Sequence, residues 1–378
     1  MSQMVLGVLG GGQLGRMLAL AAARLGVRTR LFDPDPEACG GQVAELVTGS
    51  FDDTEALARF CDGLTAATIE FENVPIAAMQ FVSRSVPMNP NPGAVVACQD
   101  RAMERDVLCA AGFEVPESRL IASRAELEGA CAELGLPSVL KARRLGYDGK
   151  GQFWIRHARD IEGAWEALGA VPVILDRGVS FNREISLLAV RDGSGRAVHY
   201  PPTENVHQNG ILLTSCVPAI GINSRELDRA QSALCAMLDR SNYIGVLAVE
   251  LFEVNGKLIA NEMAPRVHNS GHWTMNSLGA CQFENHVRAV LGLPVGEPLP
   301  LTGSMSAACM VNLIGSVPPL EQLLGAQGWH THLYGKSPRA GRKLGHVNWC
   351  GPREQMESAR GELLKLVKSH RGLDGCHV

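Results

Sequence analysis

Two glutamates, Glu250 and Glu262, are the first residues in this chain whose type and spacing suggest chemistry. They lie on neighbouring apolar segments, GVLAVELFEVN (245–255) and KLIANEMA (257–264), which meet at an Asn-Gly pair. An Asn-Gly between strand-like segments predicts a hairpin, which would bring the two carboxylates together. Adjacent carboxylates repel unless a cation separates them, and Mg²⁺ favours one or two carboxylates with waters and phosphates. The alternative is a pair of exposed strand-edge glutamates.

The segment that follows the second glutamate is dense in functional groups. APRVHNSGH (264–272) places a guanidinium, two imidazoles, an amide and a hydroxyl in a loop with glycine and proline. This density indicates a site, not a simple turn. Candidate side chains are those of Arg266, His268, Asn269 and Ser270.

The loop RRLGYDGKGQ (143–152) is the most specific single segment. Its three glycines predict a mobile flap whose backbone amides could close over phosphates. Lys141, on the preceding predicted strand, would add a fixed positive charge. An ordinary surface hairpin is the alternative, but it would not require a tyrosine, an aspartate and three cations so close together.

Glycines also mark the start of the chain, where Gly10–Gly15 (GGGQLG) satisfies the GxGxxG pattern between a predicted strand and helix. Asp33 lies near the distance expected for a ribose-binding acid, so the segment resembles a dinucleotide fingerprint. A helix amino terminus behind glycines can bind any phosphate or carboxylate. The pattern therefore predicts an anion site more firmly than an NAD site, and a tight turn without ligand is the third interpretation.

Length and charge limit the possible function classes. The 378 residues are 46% hydrophobic and carry a net charge of −4, which predicts a multidomain globular enzyme without a basic field for nucleic acid. The 11 cysteines are scattered and odd in number, as expected for reduced thiols in the cytoplasm. Apolar runs are too short to span a membrane, and the start lacks the pattern of a signal peptide.

The elements that must position these residues follow an α/β pattern. Predicted strands at 4–9 and 27–33 flank a helix at 13–25, a βαβ unit that implies a parallel sheet. A second α/β module contains the glycine flap, and the glutamate hairpin follows a strand at 184–191 and a helix at 225–241. A proline-rich segment at 293–300 precedes a tail with two short strands and a final helix at 353–370.

Several of these segments together resemble one family. GGGQLGRM, EFENVP (70–75), RRLGYDGKGQ, NEMAPRVHNSGH, YGK (334–336) and GRKLGH (341–346) occur in the order typical of 5-(carboxyamino)imidazole ribonucleotide synthetases, ATP-grasp ligases of purine biosynthesis. The resemblance extends over nearly the whole chain. It implies a three-domain ATP-grasp fold with an amino-terminal parallel-sheet domain at 1–105, a lid domain at 106–178, a catalytic domain at 179–300 and a segment at 301–378 that completes it.

The same resemblance implies the activity and the ligands. The expected activity is the carboxylation of aminoimidazole ribonucleotide by bicarbonate, which proceeds through carboxyphosphate and releases ADP and phosphate from ATP. The expected cofactors are ATP and Mg²⁺. A cytoplasmic homodimer without a nucleic-acid or membrane partner is expected. Either Asp148 or His268 could accept the proton of the substrate amine.

The resemblance also assigns roles to individual residues. Those expected at the nucleotide are Arg101, Lys141, Gly146, Tyr147, Asp148, Gly149, Lys150, Gly151, Gln152, Asp176, Arg177, Gly178, Val179, Glu184, His207, Asn261 and Glu262. Those expected at the ribonucleotide are Gly12, Gln13, Leu14, Glu70, Asn269, Ser270, Lys336, Arg342 and Lys343. The expected catalytic residues are Tyr147, Asp148, Arg266, His268 and Lys336, and the expected metal ligands are Glu250 and Glu262.

Two positions depart from the family pattern. Asp176 stands where glutamate is usual, so a shorter side chain would have to reach the ribose, and Val267 replaces a usual proline. Three alternative functions remain. Another ATP-grasp ligase would share the glutamates but not EFENVP or GRKLGH, a nicotinamide-dependent dehydrogenase would use the opening glycines, and a regulator would bind ATP without turnover.

Overall fold

The first sheet of the computed structural model is the parallel sheet expected at the amino terminus. The structure describes residues 3–144, 151–169, 171–277, 279–298 and 301–371. The first elements are β1 (Val5–Leu9), α1 (Gln13–Arg24), β2 (Arg28–Asp33), β3 (Glu45–Thr48), α2 (Thr54–Cys61), β4 (Ala66–Ile69), α3 (Ile76–Ser85) and α4 (Pro92–Cys98). The strands pair in parallel in the order β3-β2-β1-β4. The predicted βαβ unit is confirmed.

A long connecting helix leads into a smaller antiparallel sheet. Its elements are α5 (Arg101–Ala111), β5 (Ser118–Ile121), α6 (Arg124–Leu134), β6 (Ser138–Ala142), β7 (Gln152–Ile155), α7 (Asp160–Ala167) and β8 (Val173–Arg177), with strand order β5-β8-β6-β7. Asp100 caps α5 by accepting a hydrogen bond from the Ala102 amide, and Gly112 ends it with a left-handed φ of 102°. We call this four-stranded sheet the lid sheet.

The rest of the chain builds one large sheet. It comprises β9 (Arg183–Arg191), β10 (Ala197–His199), β11 (Thr203–Gln208), β12 (Ile211–Val217), α8 (Ser224–Arg240), β13 (Gly245–Val254), β14 (Lys257–Ala264), α9 (Gln282–Val290), β15 (Ala307–Ile314), α10 (Leu320–Leu324), β16 (Trp329–Leu333), β17 (Lys343–Gly351) and α11 (Arg353–Arg371). The strand order is β14-β13-β9-β11-β12-β15-β17-β16, and β10 pairs with β9. We call this nine-stranded sheet the large sheet.

The predicted hairpin that carries the two glutamates is confirmed, including the strand register. β13 and β14 pair antiparallel, and Glu250 lies directly opposite Glu262. Asn255 and Gly256 both have positive φ, 50° and 81°, as the mirror-image hairpin turns require. The strands are buried against α8, α9 and their neighbours, so this register is held by the core.

One prediction about strands was wrong, and three further strands were not predicted. The tail contains three strands, β15, β16 and β17, where two short ones were expected, and they extend the large sheet. The sequence pattern led to no prediction for the stretch between β9 and α8, and it holds β10, β11 and β12. Strand β11 has the sequence TENVHQ, whose polar side chains hide the alternation that marks a strand. Among the described residues, no helix is long and apolar enough to cross a membrane.

Candidate active site

A cleft of about 1040 Å³ is lined by residues from the amino-terminal domain, the lid sheet and the large sheet, and collects most of the side chains selected from the sequence. The expected site residues that line it are Gln13, Leu14, Glu70, Arg101, Lys141, Gln152, Asp176, Arg177, Val179, Glu184, His207, Glu250, Asn261, Glu262, Arg266, His268, Asn269 and Lys343. Six expected residues are described but are not part of its lining: Gly12, Gly151, Gly178, Ser270, Lys336 and Arg342. Gly146, Tyr147, Asp148, Gly149 and Lys150 lie outside the described residues.

The two hairpin glutamates face a shared region of this cleft and have different neighbours. Glu250 Oε1 lies 3.3 Å from His268 Nε2, and its side chain is 15% exposed. Glu262 Oε2 lies 3.4 Å from Arg101 Nη1, and its side chain is 42% exposed. Burial, followed by repulsion from Glu262, raises the pKa of Glu250 to about 7. A divalent cation between the carboxylates would relieve this repulsion.

The donor set at this point fits Mg²⁺. In the described part of the chain, no group of three or more His, Cys, Asp and Glu side chains is arranged to hold a metal ion. A site of this kind therefore has two carboxylates, with the remaining positions left to water and phosphate oxygens. This is the ligand pattern that Mg²⁺ prefers at nucleotide sites, whereas a dedicated protein cage would favour other ions.

The expected ribose contact of Asp176 is not supported by its geometry. Asp176 Oδ2 lies 2.8 Å from Lys141 Nζ and 2.7 Å from Arg105 Nη2, and the Asp176 side chain is 3% exposed. The carboxylate is thus used in an ion pair inside the protein. The aspartate side chain is one methylene shorter than that of glutamate, and it is long enough to contact both cations.

A second acid in the cleft is better placed for a polar ligand. Glu184 on β9 is 20% exposed and is hydrogen-bonded to Nδ1 of His207 on β11. Burial lowers the pKa of His207, but the hydrogen bond to Glu184 and the charge of Glu250 outweigh this effect and raise it above its ordinary value. A bulge between Val206 and His207 shifts the register of β11 there.

The loop after β14 holds a cation and a neutral imidazole next to the glutamates. Arg266 Nε lies 2.5 Å from Glu72 Oε2, and Arg266 Nη1 donates to the Val267 carbonyl. His268 Nδ1 is 2.8 Å from Ser270 Oγ. Burial and the charge of Arg266 hold the pKa of His268 well below its ordinary value, so this imidazole is neutral at neutral pH. Ser270 therefore orients His268 from outside the cleft lining.

The opening glycine turn is closed by the protein's own carboxylates. The Gly11 amide donates to Asp33 Oδ2 at 2.7 Å, the Gly12 amide donates to Glu70, and the Leu14 amide donates to Glu70 Oε1 at 3.2 Å. A Cβ on Gly12 would lie 2.2 Å from Glu70 Oε1, so any other residue here would displace the Glu70 carboxylate. A dinucleotide pyrophosphate would need the same amides, which weighs against the dehydrogenase alternative.

One cation from the carboxy-terminal region contacts this turn, and a second lines the cleft. Lys336 Nζ donates to Gln13 Oε1 across 323 positions of sequence, and Lys343 lines the cleft. Arg342 does not line it, since its Nη1 donates to the Ser337 carbonyl at 3.2 Å. Lys336 is also absent from the lining, but it contacts Gln13, which lines the cleft, so the expectation of a phosphate contact has more support for Lys336 and Lys343 than for Arg342.

Sequence reasoning missed several residues of the cleft wall. Glu104, Glu72, Phe181 and Phe252 all line it, and the two phenylalanine rings stack with centroids 4.6 Å apart. Glu104 lies one helical turn after Arg101, a spacing that could have identified it because i and i+3 residues share a helix face. Nothing in the local sequence pairs Phe181 with Phe252, which meet only when β9 and β13 align.

Comparison with known proteins agrees with this geometry. Family models match the ribonucleotide synthetase preATP-grasp domain at 3–99, the ATP-grasp domain at 106–283 and the phosphoribosylaminoimidazole carboxylase C-terminal domain at 308–360. N5-carboxyaminoimidazole ribonucleotide synthase from Pseudomonas aeruginosa is 43% identical over 97% of this chain and 100% of its own length. The chain belongs to the N5-carboxyaminoimidazole ribonucleotide synthase family.

Solved structures of this synthase family have the same fold. The synthetase from Thermus thermophilus superposes with a TM-score of 0.89 at 43% identity, covering 96% of this chain and 98% of that one. The Aspergillus clavatus synthase, solved with ADP and 5-aminoimidazole ribonucleotide, gives a TM-score of 0.88 at 29% identity, covering 97% and 99%. The predicted family and the predicted three-domain ATP-grasp fold are confirmed.

Proposed function

We propose that the cleft carboxylates the exocyclic amine of 5-aminoimidazole ribonucleotide with bicarbonate, coupled to the conversion of ATP to ADP and phosphate. The observation that carries this proposal is the cleft itself. It joins the cations Arg101 and Lys141, the carboxylate pair and the neutral His268 to the amino-terminal turn near Lys336. Relatives that share this fold carry the synthase name, and one of them was solved with ADP and the ribonucleotide.

ATP would occupy the side of the cleft between the lid sheet and the large sheet. Lys141 and Arg101 are the nearest cations for its phosphates, and Gly151 and Gln152 end the expected flap. The stacked rings of Phe181 and Phe252 offer an apolar surface suited to a base. Glu184 is the more exposed acid for a ribose hydroxyl, in place of Asp176.

Glu250 and Glu262 would hold Mg²⁺. When bound, the ion offsets negative charge on the phosphates of ATP. The protein's own contribution is to orient the two carboxylates by cross-strand pairing and to keep the neighbouring Arg101 and His268 in contact with them.

The chemistry requires two steps in a site that excludes water. An oxygen of bicarbonate attacks the γ-phosphorus of ATP, the bond to ADP breaks, and carboxyphosphate forms. The amine nitrogen then attacks the carboxyl carbon, directly or as released CO₂, phosphate leaves, and the nitrogen loses a proton. Arg266 is placed to hold bicarbonate, although its guanidinium also pairs with Glu72. His268 is neutral and therefore able to accept the proton, while the alternative, Asp148, lies outside the described residues.

The ribonucleotide would lie between the two ends of the chain. Gln13, Leu14 and Glu70 line the cleft on the amino-terminal side, and Lys343 lines it on the carboxy-terminal side. Lys336 contacts Gln13, which is part of that lining. These cations would hold the ribonucleotide phosphate, and Asn269 would face the same ligand.

Several organisational features belong to the same proposal. The division at 1–105, 106–178, 179–300 and 301–378 is supported by the separate sheets, and the continuation of the large sheet by β15, β17 and β16 supports assigning the last segment to the catalytic domain. We also propose a homodimer working in the cytoplasm, since both are expected for this family of purine-biosynthesis enzymes.

The test is ADP release by the purified protein, measured with and without the ribonucleotide and bicarbonate. Carboxylation predicts release that requires both compounds, together with consumption of the ribonucleotide. ATP binding without turnover would indicate a regulator. Turnover with another acceptor, but none with the ribonucleotide, would indicate a different ATP-grasp ligase.

A further inference from the structure

A group of three largely buried charges lies in the wall of the cleft on its ATP side. Asp176 Oδ2 is 2.8 Å from Lys141 Nζ and 2.7 Å from Arg105 Nη2. The side chains of Lys141, Asp176 and Arg105 are 11%, 3% and 8% exposed. One carboxylate oxygen thus contacts two cations in a region from which water is largely excluded.

Two of the three residues come from the lid sheet, and the third comes from the helix that leads into it. Lys141 is on β6 and Asp176 on β8, adjacent strands of the lid sheet, and Val139 pairs with Asp176. Residues two apart on one strand share a face, so Lys141 and Asp176 are diagonal neighbours on the same face. Arg105 is on α5, and Lys141 Nζ also lies 3.4 Å from Asn261 Oδ1 on β14 of the large sheet. The ammonium is therefore placed at the junction of the two sheets.

Without the Asp176 carboxylate, this group would consist of two positive charges with no negative partner. Two buried cations would face one another if Asp176 were removed, and buried charges are costly unless they are paired. Asp176 Oδ1 and Arg105 Nη1 are buried and have no hydrogen-bond partner within the described structure. Both ion pairs of Asp176 are therefore made by one oxygen, Oδ2, which contacts Lys141 and Arg105.

We propose that Asp176 is a positioning residue for ATP, which fixes the ammonium of Lys141 at the phosphate side of the cleft and balances its charge against Arg105. This inference rests on the proposed role of Lys141 as a phosphate contact. It replaces the ribose contact expected for Asp176 with an indirect role, exerted through Lys141. It also explains why a buried arginine and lysine can lie side by side.

The charges around Lys141 shift its pKa in opposite directions. Burial lowers the pKa of Lys141, Asp176 raises it, and Arg101 and Arg105 lower it further. Asp176 comes from β8 and both arginines come from α5, while β14 contributes the neutral amide of Asn261 and, next along the strand, the Glu262 carboxylate that pairs with Arg101. Removing Asp176 and removing Arg105 should therefore move the titration of Lys141 in opposite directions.

The test compares Asp176→Asn, Asp176→Glu and Arg105→Gln with the wild type. The measurements are the pH dependence of kcat/KM for ATP, from neutral to alkaline pH, and the dissociation constant of ADP over the same range. The alkaline loss of activity should move down by about one pH unit or more in Asp176→Asn and up in Arg105→Gln. Asp176→Glu, which keeps the charge, should restore a profile close to that of the wild type.

A matched control is Asp192→Asn. Asp192 is a buried aspartate outside the cleft, which accepts hydrogen bonds from the Ser194 and Arg196 amides. This variant should lose thermal stability but keep the wild-type pH profile. A purely structural role for Asp176 predicts the same behaviour for Asp176→Asn, namely lower stability with an unmoved profile, and that result would overturn the proposal.

Shifts of the Asp176→Asn and Arg105→Gln profiles in the same direction would also overturn it. If Asp176→Asn does not fold, the Arg105→Gln variant still tests the proposal. An alkaline limb of its kcat/KM profile that is unmoved, or moved to lower pH, would contradict a charge balance at Lys141. The KM for the ribonucleotide should stay within about twofold in every variant, an energy difference well under that of one hydrogen bond. Ribonucleotide-dependent ADP release by the wild type tests the proposed function separately.

Discussion

At the scale of single residues, the cleft is notable for carboxyl groups that lie close together in a buried region. Glu250 and Glu262 face one another across a hairpin, and Glu104 lies beside Arg101 and accepts a hydrogen bond from the Met263 amide at 2.7 Å. Burial and the charge of Glu262 raise the pKa of Glu104 to about 8. Ligands and pH should therefore act on the protein through these acids.

Glu262→Gln should weaken the binding of Mg²⁺ by removing one of two carboxylate ligands. A lost charge-assisted contact costs about 1.5–3 kcal/mol, so the Mg²⁺ concentration for half-maximal activity should rise roughly ten- to a hundredfold. The measurement is an Mg²⁺ titration of ADP release. Glu114→Gln, which removes an exposed carboxylate paired with Lys257 at the start of β14, is the control and should leave the titration unchanged. Wild-type turnover of Glu262→Gln at low Mg²⁺ would exclude Glu262 as a ligand.

Glu104 should make the ligand-free protein less stable as pH rises. Its pKa in the folded protein is about 8, above the ordinary 4.5 of an unfolded chain, so the folded state binds the proton more tightly. Stability is therefore lost between about pH 4.5 and pH 8, by an amount on the order of a few kcal/mol. Glu104→Gln keeps the acceptor for Met263 but cannot ionise. Urea unfolding should show the variant gaining stability relative to the wild type at alkaline pH, and parallel pH curves for the two proteins would contradict this.

At the scale of elements, the strands that could be predicted from the sequence are those whose apolar residues and turn signals match their buried positions. The hairpin β13–β14 was predictable because Asn255-Gly256 specifies the turn and both strands are apolar. Strand β11 was not, since it carries Asn205 and His207 into the cleft and so lacks an apolar alternation. The ion pair of Asp176 with Arg105 was not predictable for a related reason. The two residues are 71 positions apart, and no local pattern signals a buried ion pair of that kind.

The loop between β6 and β7 should act as a flap over ATP. Its base is closed by a hydrogen bond from the Ala142 amide to the Gly151 carbonyl at 2.7 Å, while residues 145–150 lie outside the described structure. Mg-ATP should slow trypsin cleavage after Lys150, because ordering a loop costs entropy that only a bound ligand offsets. Cleavage at the exposed Arg159 beyond β7 provides an internal control and should not change. Equal cleavage after Lys150 with and without nucleotide would exclude the flap.

At the scale of the whole molecule, the ribonucleotide side of the cleft depends on two distant segments. Lys336→Ala should raise the KM for the ribonucleotide roughly ten- to a hundredfold, the cost of one charge-assisted phosphate contact, while the KM for ATP stays nearly constant. Arg342→Ala should have a smaller effect, since its guanidinium donates to the Ser337 carbonyl. Arg339→Ala, an exposed cation of the same loop, is the control and should change neither constant. A rise confined to the KM for ATP would place Lys336 on the nucleotide side.

The contact between Lys336 and Gln13 also has a consequence for the order in which the enzyme matures on the ribosome. The two residues are 323 positions apart, so the amino-terminal domain emerges and can fold long before its partner loop has been synthesised. The parallel sheet needs only nearby strands, whereas the ribonucleotide pocket needs the loop between β16 and β17. Nascent chains should thus acquire a folded first domain early and ribonucleotide binding only at the end of synthesis.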